Sequence, residues 1–536
     1  MSPCKESCCR VCSRGFYSCH WKHSSENKKE HACCWFSGVS LVSLLALCWM
    51  YICLVTFNDR DDVNAESFAK LKQWVNWFMV LFIISAVLTS YCVLLLLFAL
   101  FQVALGEPLD LHWLHKILLF FGVVFITFGV VGIGLIWKQE WPIVPLSLQA
   151  TAPFLQFGAV GALTLLSPFI FRGFYVAKGQ CSKFLIAVAF IAVSAAIFLC
   201  PLYIQSPCLI EVHELPEKPK LIGHRGAPML APENTMMSFE KSIACGVTAF
   251  ETDIQLSKDR IPFLMHDNNF PGFLRRTTDI KDKFPEKANS RDSANFTWEE
   301  LQSLNAGDWF VKTDPFHSVS YLSEDDIEAA RNQTIPSLLQ LLNLAKEHNI
   351  SVIFDIYSPE KENETDDIVK TILHSGIDRS RVLWLPPTKR EHVKKIAPGF
   401  THFYKDSEEK EGNYLNVKYS ELNMADIRKH RSSNVTVNIW GVNERWLFSL
   451  LWCSGASSVT TNSCHILKDM DRPDWVLALR TYKIIWITVD IASIVIITGI
   501  YILQWKTHCF SHRKGARNTT TPDWNEKELA PFISSS

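Results

Sequence analysis

Hydrophobic and polar positions divide this chain into two regimes. Six apolar runs, at 35–57, 77–101, 117–137, 151–171, 184–205 and 484–505, are almost free of charged residues. Each has the length a helix needs to cross a bilayer. A buried core helix can imitate one such run, but six together predict a membrane-inserted chain. Between the fifth and sixth runs, from about 206 to 472, the pattern changes. Short apolar stretches predict strands at 220–223, 249–256, 351–356, 382–385, 401–404, 414–417, 435–440 and 458–461. Helical spacing occupies 236–244, 336–347, 366–373, 420–429 and 444–451. Strands alternating with helices over this length predict parallel β/α units, the rhythm of an α/β fold of the (β/α)8 TIM-barrel type. The segment 271–323 breaks that rhythm, being rich in Asp, Lys, Ser and Asn around the isolated Trp298 and Trp309. It is expected to be an insertion over the strand-to-helix side of the barrel. The expected organisation is a Cys-rich tail at 1–34, five spans within 35–205, the barrel over 206–472, a sixth span at 484–505 and a tail at 506–536.

Composition supports the same two parts, with 48% hydrophobic and 20% charged residues. The formal net charge of −1, with no basic block in the globular segment, excludes nucleic acid as the main partner. The first 34 residues hold seven cysteines among basic residues and no signal-peptide core, so the first run is expected to act as a signal-anchor. Palmitoylation at Cys33 or Cys34, metal binding and plain reduced thiols all stay open for that tail. Basic residues collect in the N-terminal tail, in the link bearing Arg172, Lys178 and Lys183, and in the C-terminal tail with Lys506, Arg513, Lys514 and Arg517. The link at 58–76 instead carries Asp59, Asp61, Asp62 and Glu66. By the positive-inside rule both termini are expected in the cytoplasm and 206–472 outside the cell, at the plasma membrane. Glycosylation acceptors at Asn295, Asn332, Asn349, Asn363 and Asn434 all fall in that outer segment. Asn349 and Asn434 adjoin predicted strands and are expected to be the less accessible ones, and Asn518 fits the pattern on the side where it would not be used. Cys208, Cys245, Cys453 and Cys464 share the outer segment, and four cysteines permit three pairings.

Candidate chemistry concentrates in residues 221–267. Alternation along 250–256 puts Glu251, Asp253 and Gln255 on one strand face. Neighbouring carboxylates repel, and a divalent cation is the simplest way to keep both ionised. Asp355, at the end of another apolar strand, is the expected third oxygen ligand. Oxygen ligation favours Ca2+ first and Mg2+ second over zinc. His224 and His266 each end a strand-like run, placed for acid and base roles. Arg225 suits bidentate phosphate recognition, and Gly226 lets the backbone approach closely. The competing plain readings are a solvated strand face, a helix-capping Asp and histidines packed in a core.

These residues resemble the glycerophosphodiester phosphodiesterase family. The resemblance runs in order through His224-Arg225-Gly226, Pro232-Glu233-Asn234-Thr235, Glu251-Thr252-Asp253 and His266-Asp267. It implies that Glu233 joins Glu251 and Asp253 at a metal, that His224 and His266 are the acid–base pair, that Arg225 binds phosphate, and that Trp440 and Tyr357 line the pocket. With six spans the chain is similar to the multi-pass membrane subgroup. That likeness implies hydrolysis of a glycerophosphodiester or lipid head group, above all glycerophosphoinositol to glycerol and inositol 1-phosphate, with lipid-anchor cleavage as an alternative. Two positions depart from the family pattern. Asp355-Ile356-Tyr357 stands in place of Glu-x-Lys, and Thr461-Asn462 in place of Thr-Asp. The lost Lys removes a positive charge, so a specialised or weakened enzyme and a ligand-binding receptor or scaffold stay open. A transporter is the third alternative, with Asp490 the acidic residue inside a run.

Overall fold

The computed structural model describes residues 15–19, 32–56, 64, 75–105, 109–135, 141–177, 179–266, 277–287, 295–356, 364–405, 413–421, 423–474 and 476–518. Five long helices come first: α1 (Ala32–Val55), α2 (Trp77–Leu105), α3 (Trp113–Leu135), α4 (Ile143–Val176) and α5 (Gln180–Leu199). They carry leucine, phenylalanine and isoleucine around the whole circumference, as helices do that face hydrocarbon or other helices on every side. Where they touch, polar groups pair: the Trp49 indole N–H donates to Ser85 Oγ at 2.8 Å, and Ser43 Oγ donates to the Cys92 carbonyl at 3.0 Å.

The barrel begins with β1 (Lys220–His224), α6 (Met236–Ala244), β2 (Ala249–Leu256) and β3 (Pro262–Leu264). Between β3 and the next regular unit lie α7 (Trp298–Ser303) and α8 (Asp308–Thr313), within the expected insertion at 271–323, and α9 (Glu324–Arg331) just after it. Regular alternation then resumes with α10 (Leu338–Glu347), β4 (Ser351–Ile356), α11 (Glu364–Ser375), β5 (Val382–Trp384), α12 (Arg390–Ile396) and β6 (Thr401–His402). It ends with β7 (Tyr414–Lys418), α13 (Met424–Ser432), β8 (Thr436–Trp440), α14 (Arg445–Ser454) and β9 (Ser458–Thr461). The strands pair in parallel in the order β6-β5-β4-β2-β1-β9-β8-β7, and a parallel bridge from Tyr404 to Leu415 joins the two ends. This is the expected barrel. Strand β3 runs antiparallel to β2 and stands outside the circuit, so the run that ends at His266 is a hairpin arm and not a barrel strand.

Alternation fixes what faces the barrel axis. Ile222, Ala249, Ile353, Leu385 and Phe403 pack together as one apolar inner layer. On the other side of the axis the layer is polar, with Asn438 Nδ2 donating to Asn416 Oδ1 at 2.6 Å and to Thr460 Oγ1 at 2.9 Å. Two residues further along each strand, toward the C-terminal mouth, the same face carries His224, Glu251, Asp355, Lys418, Trp440 and Asn462, with Asp253 one step beyond Glu251.

The sixth apolar helix, α15 (Leu479–Asn518), packs along α4. With it, six helices among the described residues are long and apolar enough to cross a membrane. Gln156 donates to Asp490 at 3.4 Å and Thr164 pairs with Ser493 at 2.7 Å, so Asp490 sits in a helix contact. Val55 at the end of α1 and Ile143, Leu146 and Ala150 at the start of α4 share one continuous apolar core with the barrel, where α4 meets α14. Disulfides join Cys208 to Cys453 and Cys245 to Cys464, selecting one of the three open pairings. Of the glycosylation acceptors, Asn295, Asn332, Asn349 and Asn434 are all exposed. The reduced accessibility expected at Asn349 and Asn434 is not what the fold provides. Both adopt left-handed backbone, φ 58° and 60°, in the turn between a helix and the next strand, and that turn lifts them to the surface. Tyr357 and Asn363 lie outside the described residues.

Candidate active site

The turn after β1 builds one wall of the site. Arg225 takes φ 52° and Gly226 φ 90°, which folds the chain sharply back. At Gly226 a Cβ would come within 2.5 Å of Ser238 Oγ, so only glycine fits. Ser238 Oγ in turn donates to the Arg225 carbonyl at 3.0 Å and accepts from the Ala227 N–H at 2.8 Å. Pro232-Glu233-Asn234-Thr235 leads into α6, where Thr235 caps the helix by accepting from the Ser238 N–H. Asn234, which the sequence reading left without a role, ties this turn to β2. Its amide donates to Asp253 Oδ2 at 3.0 Å and its oxygen accepts from Thr252 at 2.9 Å.

The carboxylates converge as the strand alternation requires. Glu251 and Asp253 project from β2, and Asp355 lies beside Asp253 in the register of β4. The Glu251 carboxyl is pushed well above the usual range, by burial first and then by the Asp253 charge, with Asp355 adding to it against the pull of Arg225. Asp355 is raised by burial and by Asp253, while Lys405 opposes the rise. Lys405, just beyond β6, is a charge at the mouth that the sequence reading did not single out.

His224 donates from Nδ1 to Asn462 Oδ1 at 2.6 Å, and its Nε2 stands 3.8 Å from Glu251 Oε2. Burial chiefly, with the neighbouring Arg225 charge, lowers its pKa to about 4. The imidazole is therefore neutral at physiological pH, with Nε2 turned to the mouth. His266 acts electrostatically on both His224 and Asp355, so the hairpin arm of β3 brings it to the same mouth. Arg225 reaches the carboxylates as well: its Nη1 is 3.3 Å from Glu233 Oε1 and its Nε 3.2 Å from Asp253 Oδ2. Its guanidinium thus bridges two of the expected metal ligands and is not turned to open space. Trp440 faces the mouth from β8, over the Lys418 ammonium.

Among the described residues, no three His, Cys, Asp or Glu side chains close into a finished ion cage. The donor chemistry nevertheless fits a hard divalent cation. Glu251, Asp253 and Asp355 offer carboxylate oxygens from adjacent strands, and their mutual repulsion is what such an ion would relieve.

Comparison with known proteins decides the family. Residues 224–396 match the glycerophosphoryl diester phosphodiesterase family. The chain is 41% identical over 515 residues to the glycerophosphoinositol inositolphosphodiesterase GDPD2 of Mus musculus, covering 93% of this chain and 94% of that protein. This chain belongs to the glycerophosphodiester phosphodiesterase family. Another relative of this phosphodiesterase is the human glycerophosphodiester phosphodiesterase domain-containing protein 5, 38% identical over 513 residues, or 93% of this chain and 84% of the relative. Among solved structures, the phosphodiesterase aligns with a glycerophosphoryl diester phosphodiesterase of Silicibacter pomeroyi over 48% of its length and 95% of that chain, at 18% identity and a TM-score of 0.40.

Proposed function

We propose that this phosphodiesterase hydrolyses glycerophosphoinositol to glycerol and inositol 1-phosphate at the outer face of the plasma membrane, with a divalent cation, Ca2+ before Mg2+. The observation that carries the reading is the convergence of His224, His266, buried Asp253 and half-buried Glu251 and Asp355 on one barrel mouth. The substrate is drawn from the mouse relative, whose name specifies glycerophosphoinositol. The outer location draws support from two disulfides and four exposed glycosylation acceptors in the barrel segment, since disulfides persist in oxidising compartments.

Glu251, Asp253 and Asp355 are the residues that would hold the cation, with Glu233 joining them on the far side of the Arg225 guanidinium. The cation, when bound, neutralises charge that builds on the phosphate. Neutral His224, its Nδ1 fixed by Asn462, takes a proton at Nε2 from the attacking water. The water oxygen bonds to phosphorus as the bond to the glycerol oxygen breaks, and His266 gives a proton to that leaving oxygen.

Cells carrying the wild type or His224→Ala, supplied with glycerophosphoinositol in the medium, test this directly. Loss of a general base is expected to cut inositol 1-phosphate release by about 10²- to 10⁴-fold. Equal release from both cells would remove the mechanism and leave the barrel as a ligand-binding module. Chelation should stop release from the wild type, and added Ca2+ should restore it better than Mg2+.

A further inference from the structure

We propose that the cavity between α4, the chain leaving α5 and the start of α13 binds one membrane phospholipid, its phosphate at Arg428 and an acyl chain along α4. The cavity has a volume of about 620 Å³, within the range of about 300–1,000 Å³ usual for small-molecule sites. None of its described walls comes from the active site, so occupancy does not depend on the reaction proposed above. The walls fix its height in the molecule. Leu148, Gln149 and Ala152 share one face near the start of α4, the end of that helix that packs on the barrel. Tyr203 follows directly on the apolar run that ends at Leu202. Both walls therefore lie where a membrane-crossing helix gives way to the barrel, and the largely exposed Tyr203 suits that boundary between hydrocarbon and water.

Polarity changes across the cavity in the sense a phospholipid requires. On the side of the helix bundle Leu148 is exposed, and the same face of α4 continues into the span with Leu155, exposed as well. An acyl chain has an apolar track there. Toward the barrel the walls turn polar, through Gln149 to Arg428 of α13. Arg428 is exposed, and it is the one charged side chain among the described residues that line the cavity. A guanidinium at head-group level attracts phosphate by charge and matches it with paired N–H donors. A neutral amphiphile would use only the apolar wall and a free phosphate only Arg428, whereas a phospholipid uses both. The phosphate is common to all phospholipids, so the site selects the class and not one head group. A lipid seated here would fill the gap between the bundle and the barrel, touching α4 and α13 together.

The test uses full-length protein in detergent, freed of lipid, comparing the wild type, Arg428→Gln and Ala152→Phe. Dioctanoyl phosphatidylcholine is titrated against the melting temperature, with dioctanoylglycerol and inorganic phosphate as separate arms. A phosphatidylcholine with a diazirine in one acyl chain is then photo-crosslinked, and the attachment is mapped by peptide mass spectrometry. The wild type is expected to show a saturable rise in melting temperature with phosphatidylcholine, and crosslinks concentrated around Leu148–Leu155. Arg428→Gln should raise the half-saturating concentration about tenfold or more, the worth of one hydrogen bond to a charged group. Ala152→Phe, which puts a ring into the cavity, should remove most of the crosslinks at that place. Dioctanoylglycerol and inorganic phosphate should each act more weakly than the phospholipid. Equal half-saturation in the wild type and Arg428→Gln overturns the proposal, as does either partial ligand matching the phospholipid. Crosslinks spread evenly over all six apolar helices would mean a general lipid coat and are equally fatal. Arg428→Gln changes an exposed side chain, so the comparison stands even if Ala152→Phe does not fold.

Discussion

In the proposed mechanism, Asn462 sets which nitrogen of His224 is left to face the substrate. As an amide it accepts from Nδ1 without adding charge, so nothing at that end offsets the burial that holds the imidazole near pKa 4. Asn462→Asp would place a carboxylate there, favour the imidazolium and raise the pKa. Protonation would then inactivate the base at a higher pH. The acid limb of the rate profile should move upward relative to the wild type, and a pH series of kcat/KM measures it. Gly226 is a second single-residue constraint. In Gly226→Ala a methyl group would meet Ser238 in a backbone conformation closed to alanine, costing about 1–3 kcal/mol, visible as a lower melting temperature. At this scale the motif residues were legible because strand alternation and turn chemistry are local. Lys405 was not, because what sets it near Asp355 is the closure of strands far apart in sequence.

At the scale of elements, β6 shows how little pattern some strands need. It spans Thr401–His402 and is steadied by Arg390 of α12, which donates to the Phe403 carbonyl at 2.7 Å and the Leu385 carbonyl at 3.1 Å. Helix α12 was not legible in the sequence because it buries only Arg390 and Val393, too few residues for a period. The inserted helices did leave a signal: Thr297 and Glu300 form a capping box, three residues apart, at the start of α7. His402 gives this part of the barrel a measurable pH response. Burial first, and then the charges of Arg390 and Lys394, lower its pKa from 6.5 to about 4. As pH falls between those values the unfolded chain takes up a proton that the folded chain refuses, so stability declines across that window. His402→Asn should lose less melting temperature than the wild type between pH 6.5 and 4.

At the scale of the whole molecule, the six apolar runs and the barrel rhythm were the plainest features of the sequence. Cysteine pairing and the seating of the barrel were not legible, because both depend on contacts between distant parts of the chain. Cys208–Cys453 fastens the segment after α5 to α14 across 245 residues. Replacing both cysteines with alanine is expected to cost about 2–5 kcal/mol. Thermal unfolding of the full-length protein checks this, and activity per folded molecule should be kept, since neither cysteine reaches the mouth. The seating itself has a kinetic consequence. The first turn of α13, which follows β7, borders a cavity of about 620 Å³ whose other walls are α4 and residues 203–207. The barrel itself is anchored to the helix bundle where α4 packs on α14 and shares its apolar core, and it cannot swing freely on a tether. In a bilayer the enzyme would work at a fixed altitude, and its turnover would follow the supply of molecules shed at that surface more closely than their average concentration in the medium.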